Sequence, residues 1–168
     1  SIDFDKLNGI VGIFGKNFSG KSSVIDSMLY TIFYSTSKNE RKNLNIINQN
    51  KEEADGAVTI DVGHKRYTIE SKSEKYIKKL KGEETLEAKT DIVFKVKDMV
   101  TDEETILNGT TRNETDAIIR NHFGNVDDFL KTSMSSQIDS LRFINEGSTK
   151  RKEALAKFLD LQFFERKY

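Results

Sequence analysis

Apolar positions follow three periodicities in turn along the chain. Ile10, Val11, Ile13 and Phe14 form a short run ending at Gly15, the pattern of a strand buried on both faces. After a glycine-containing segment, Val24, Ile25, Met28, Leu29, Ile32 and Phe33 recur at helical spacing. Their single wide stripe predicts a helix packed onto a sheet. Residues 35–56 are polar and read as a loop with one short element around Leu44–Ile47. From Ala57 the period becomes two: Val58, Ile60 and Val62 alternate, Gly63-His64 turns, and Tyr67 and Ile69 resume the alternation, a hairpin signal. A lysine-rich stretch from Lys72 to Lys81 and a turn near Gly82 lead to a third alternating run, Ile92, Phe94 and Val96. The middle of the chain is therefore expected to be an antiparallel sheet.

Helical character returns beyond Asn108-Gly109. Thr111-Arg112-Asn113-Glu114 matches a capping box, in which the Thr111 hydroxyl and the Glu114 carboxylate satisfy the first free N–H groups of a helix. Ile118, Ile119 and Phe123 give its buried face, and Gly124 stands where a helix end favours a left-handed residue. Asn125 or Asp127 can cap a second short helix carrying Phe129 and Leu130, and Ser148 a third with Ala154, Leu155, Phe158 and Leu159 as its stripe.

Composition narrows the function classes. The 168 residues suffice for one domain or a large piece of a bigger one, and 36% hydrophobic with 32% charged residues suits a water-facing globular surface. No apolar run is long enough for a membrane span and no signal-peptide pattern is present, so a cytoplasmic setting without a membrane partner is expected. The absence of Cys removes disulfides and thiolate zinc sites, and two isolated histidines, His64 and His122, are a poor basis for a metal site. The strand-like opening at Ser1-Ile2-Asp3-Phe4 and the helix-like close at Phe163-Phe164-Glu165-Arg166-Lys167-Tyr168 read as a piece of a longer protein.

The segment between first strand and first helix carries the chemistry. Gly15-Lys16-Asn17-Phe18-Ser19-Gly20-Lys21-Ser22 has the Walker A spacing, with an apolar strand before it and an amphipathic helix after it. Such a loop turns its backbone N–H groups inward around phosphate oxygens, and the helix beginning near Gly20 adds its positive dipole end. Lys21 is then placed to reach the β- and γ-phosphates of ATP as a point charge, and Ser22 to offer a hydroxyl to Mg²⁺. Ser23 is a candidate contact to the α-phosphate. A chance glycine-rich turn would lack the flanking strand and helix.

Residues 15–28, Gly15-Lys16-Asn17-Phe18-Ser19-Gly20-Lys21-Ser22-Ser23-Val24-Ile25-Asp26-Ser27-Met28, resemble the Walker A segment of SbcC-like, Rad-fifty-type DNA-repair ATPases, the SMC-related ABC class that includes phage recombination endonuclease large subunits. Ile47-Asn48, Ala57-Val58 and Lys65-Arg66-Tyr67-Thr68-Ile69 are similar to that family's strand pair. Phe129-Leu130-Lys131-Thr132-Ser133-Met134-Ser135-Ser136-Gln137 resembles the run into its Q-loop. Alone, Gln137 reads as a solvated loop amide; the resemblance implies that it enters the Mg²⁺ shell and orients water, alongside Lys21 in catalysis. Phe143-Ile144, Lys150-Arg151-Lys152 and Phe163-Phe164-Glu165 are similar to the entry into the family's long coiled coil. Three positions depart: Phe18 stands where the family usually has Gly, Ile138 replaces a common Gly after the glutamine, and Ser71 replaces a frequent Arg.

The resemblance implies an α/β fold: the P-loop, ABC-type head lobe of an ATPase, with an antiparallel β-subsheet and a helical segment leading to a coiled coil. Its expected parts are a strand/P-loop/helix core over 1–34, the β region over 57–107, a helical segment with the Q-loop over 111–160, and the start of the coiled coil over 161–168. No apolar run ending in Asp-Glu, no Ser-Gly-Gly signature and no switch histidine are found, so the resemblance places Walker B and signature in a second lobe of the same chain. The piece alone is expected to bind nucleotide poorly and hydrolyse almost none. Implied partners are that lobe, a second copy forming a head dimer, an SbcD-like nuclease subunit and DNA. The rival readings are a RecF- or OLD-like or other P-loop enzyme, and a structural DNA clamp with incidental turnover.

Lys72, Lys75, Lys78, Lys79 and Lys81, with Lys65, Arg66, Lys95 and Lys97 nearby, could neutralise DNA phosphates. Glu70, Glu74, Glu83 and Glu84 dilute the patch, and the favoured reading is a solvated, lysine-protected sheet face.

Overall fold

A computed structural model describes residues 4–36, 43–80, 82–134 and 142–158. After a single 3₁₀ turn at Phe4–Lys6 and the glycine-containing loop comes helix α1 (Lys21–Phe33), then the short α2 (Asn43–Ile46). Four strands follow: β1 (Glu53–Val62), β2 (Lys65–Leu80), β3 (Glu83–Asp98) and β4 (Glu104–Ile106). Helices α3 (Arg112–Phe123), α4 (Val126–Thr132), α5 (Arg142–Asn145) and α6 (Ser148–Phe158) complete the described elements.

The strands form one antiparallel meander in the order β1-β2-β3-β4. Gly63 (φ 61°) and Gly82 (φ 86°) supply positive φ in the β1–β2 and β2–β3 turns. Register lines up the inward rows: Val58 faces Ile69, and Ile69 faces Phe94. Ile69 and Phe94 are fully buried there, and Leu29, Ile32 and Phe33 of α1 close the same core with Ile119 of α3 and Val126 of α4. One layer of helices thus covers one face of the sheet, as the helical stripe on α1 predicts.

The next row of the sheet is polar instead. Gly56 lies opposite Ser71, and Ser73 opposite Thr90, whose hydroxyls sit 2.6 Å apart in the buried layer under α1. Gly56 is required by close approach, because a Cβ there would stand 2.5 Å from the Thr31 Oγ1 atom. Thr31 is itself buried and donates to the Ser27 carbonyl at 2.8 Å. Burial pushes the Tyr30 phenol above its ordinary value, with Tyr34 beside it adding to the rise.

Helix ends follow the chemistry of the sequence. Thr111 Oγ1 accepts from the Glu114 N–H at 3.3 Å, while Glu114 Oε2 accepts from the N–H groups of Thr110 at 2.7 Å and Thr111 at 3.3 Å. Gly124 ends α3 with φ 77°, and Asn125 caps α4 through a second reciprocal box with Asp128. Ser148 is the first residue of α6 rather than its cap, and Arg151 N–H donates to the carbonyl of Gly147.

One strand expectation needs correction. The buried strand over Ile10–Phe14 is not formed: residues 11–16 have no regular structure, and Ile10 and Phe14 are fully exposed. A core strand exists only with neighbours to pair it. The four described strands pair only among themselves, so nothing described receives this run. The lysine-rich stretch, by contrast, is strand: β2 and β3 continue as a two-stranded ribbon past the end of β1 at Glu53, from the Lys75–Ala88 pair to the Leu80–Glu83 pair.

Candidate functional site

The glycine-containing loop lies between Phe14 and the first turn of α1. Lys16 and Ser19 close a four-residue turn through Ser19 N–H to Lys16 O at 3.2 Å, with Asn17 and Phe18 at its tip. Phe18 has φ 64°, the third turn position that ordinarily takes Gly or Asn, and its ring is fully exposed. Such a conformation costs a bulky residue on the order of 1–3 kcal/mol. Gly20, with φ 84°, stands as the N-cap of α1 in the left-handed region. Gly15 is needed for a different reason, since a Cβ at that position would lie 2.6 Å from Ser19 Oγ.

Lys21 begins the helix and folds back across the loop. Its ammonium donates to the carbonyl oxygens of Gly15 at 2.8 Å and Lys16 at 2.7 Å. One cation therefore stands over the loop that would hold an anion. Ser22 and Ser23 are exposed on the first turn, where Ser23 N–H makes only a tight turn contact to Gly20 O at 3.1 Å. The 13-residue helix has no acidic residue in that turn and no side-chain cap. Its free N–H groups and dipole are thus left to an outside anion. These donors fit the phosphates of ATP: an ammonium, helix N–H groups and glycines that let the backbone come close. They also leave the Ser22 hydroxyl accessible to a hard cation such as Mg²⁺.

The structure brings Gly15, Lys16, Asn17, Phe18, Ser19, Gly20, Lys21, Ser22 and Ser23 together in one loop and helix start. Gln137 lies outside the described residues, so nothing here relates it to that loop. Among the described residues no cluster of three or more His, Cys, Asp or Glu side chains could hold a metal. His64 pairs with Asp98 at 3.5 Å, and His122 Nδ1 meets the Ile118 carbonyl at 2.8 Å while its ring packs near Phe94.

A family model described as "AAA domain" matches residues 1–167. The chain belongs to the AAA-domain family. The match is that of a P-loop ATPase domain, and ATP is the ligand class the family implies. A relative from Acanthamoeba polyphaga mimivirus, called uncharacterized protein R555, is 32% identical over 171 residues. That alignment covers 98% of this chain but only 12% of the viral protein, so the AAA domain spans a small part of that relative. Among the described residues of the AAA domain, no helix is long and apolar enough to cross a membrane.

Among the described residues, most cations of the lysine-rich sheet face have partners. Lys72 pairs with Glu53 and Glu74, Lys78 with Glu87, Lys79 with Glu84, Lys89 with Glu74, Lys95 with Glu70 and Lys97 with Asp102. Lys75 donates to the carbonyls of Asn48 and Gln49, and Arg66 makes two bonds to Asp61 at 2.8 Å. Lys81 lies outside the described residues. A residue the sequence reading passed over is Asn108, whose amide substitutes for a strand neighbour by accepting from Phe94 N–H at 2.7 Å and donating to Ile92 O at 3.0 Å. Its only sequence signal was the Asn-Gly dipeptide, read as a boundary.

Proposed function

We propose that this AAA domain is the phosphate-gripping lobe of an SbcC-like, SMC-type ATPase that acts in DNA end processing, repair or recombination. The observation that carries the reading is the loop itself, where the Lys21 ammonium, two left-handed residues and an uncapped helix start converge. Lys21 neutralises the β- and γ-phosphates, Ser22 and Gln137 contribute to the Mg²⁺ shell, and the amides of residues 15–23 hold the phosphates in place. Walker B and signature residues come from a second lobe of the same chain.

The exposed run Ile10–Phe14 supports this division. Ile10 and Phe14 stand fully exposed, and in this reading the second lobe supplies the neighbours that turn the run into the buried strand feeding the loop. The small share of the viral relative covered by this chain fits a long protein with further segments. In the complete protein, two heads sandwich two ATP molecules, and their engagement regulates a partner nuclease on DNA in the cytoplasm. Nuclease chemistry belongs to the partner.

Size-exclusion chromatography with light scattering on the full-length protein tests the reading. Mg-ATP should drive association of heads that ADP does not drive. A mass that is the same with ATP, with ADP and without nucleotide would contradict it.

A further inference from the structure

Phe18 has two properties that rarely coincide. Its backbone is left-handed at φ 64°, and its ring is fully exposed, so the conformational cost is not offset by burying the side chain. The turn that holds it is weakly secured: one 3.2 Å backbone bond between Ser19 and Lys16, and the exposed contacts of Lys21 to two carbonyls. Exposed hydrogen bonds without burial are the first to open. The free loop can therefore relax out of the strained shape, whereas a phosphate group cradled by its amides requires that shape.

We propose that Phe18 sets the nucleotide affinity of the loop through backbone strain, acting as a brake on loop closure rather than through contact of its ring with the ligand. The inference rests on the loop being the ATP site. Strain relieved in the free protein must be restored on binding, so affinity is lowered by the left-handed penalty. The effect belongs to phosphate binding and is independent of the base.

The test is calorimetric titration of the full-length protein with Mg-ATP and, separately, with inorganic pyrophosphate. Phe18→Gly, which adopts positive φ without penalty, should tighten both ligands by the same factor, on the order of 5- to 30-fold. Phe18→Ala removes the ring but keeps a Cβ and should fall well short of that gain. Thermal unfolding without ligand checks that both variants are folded. Unchanged or weaker binding by the Gly variant, or an equal gain in the Ala variant, would overturn the inference. A gain for ATP but not pyrophosphate would overturn it too, by showing that the ring acts on the nucleoside. If the unmodified protein binds neither ligand, the ATP-site reading falls and this inference with it; if it binds both and only Phe18→Gly is neutral, this inference alone fails.

Discussion

The ammonium of Lys21 stands 2.8 Å from the carbonyl oxygen of Gly15, closing the loop from its last residue back onto its first. The two residues lie six positions apart in the chain. The contact is exposed, as is the second one to the Lys16 carbonyl, so a bound phosphate can draw the ammonium away from either oxygen.

The Glu114 carboxylate gives the AAA domain a specific acid sensitivity. Hydrogen bonds from the Thr110 and Thr111 backbone hold its pKa below the ordinary 4.5. The unfolded chain therefore takes up the proton first as pH falls. The capping contribution is intact above about pH 5 and disappears as pH drops through the folded value. Urea denaturation of wild type and Glu114→Gln across pH 3 to 7 should give curves that differ near neutrality and converge in acid. A constant gap at every pH would count against the assignment.

Gly56 and Thr31 should behave as a coupled pair. Gly56→Ala drives a Cβ into the buried Thr31 hydroxyl and is expected to cost on the order of 1–3 kcal/mol. Thr31→Ala removes the obstructing oxygen, so the double variant should recover part of the loss. Additive losses in a double-mutant cycle would mean that the close approach is not what excludes a side chain.

Charge reversal on the ribbon tests whether its lysines meet nucleic acid. Lys78 and Lys79 are ion-paired with Glu87 and Glu84, so few counterions would be released by docking them on DNA. Lys78→Glu with Lys79→Glu is expected to leave the salt dependence of DNA affinity of the full-length protein unchanged. A slope reduced by about one unit per lysine would place both on phosphates.

Local features were readable because their causes are local. The stripe on α1, the turns at Gly63 and Gly82 and the cap at Thr111 each depend on residues a few positions apart. The length of β2 was not, since lysines on both faces hide the alternation and its far half is paired by β3 alone, with ion pairs to Glu84 and Glu87 across the ribbon. β4 is three residues long and leaves no periodic trace. The apolar run at Ile10–Phe14 was read as a strand because its composition is that of one, but pairing depends on partners that no local pattern contains. At the site, spacing sufficed to gather residues 15–23; the hold of Lys21 on the loop carbonyls depends on how the loop folds back over itself. Gln137 depends on the family resemblance, and its segment lies outside the described residues.

ATP binding by this loop should depend on Lys21. Equilibrium binding of fluorescent ATP to the full-length protein, wild type beside Lys21→Ala, measures that dependence. Saturable Mg-ATP binding is expected for the wild type and none for the folded variant; equal binding by the two proteins would remove the loop as the ATP site.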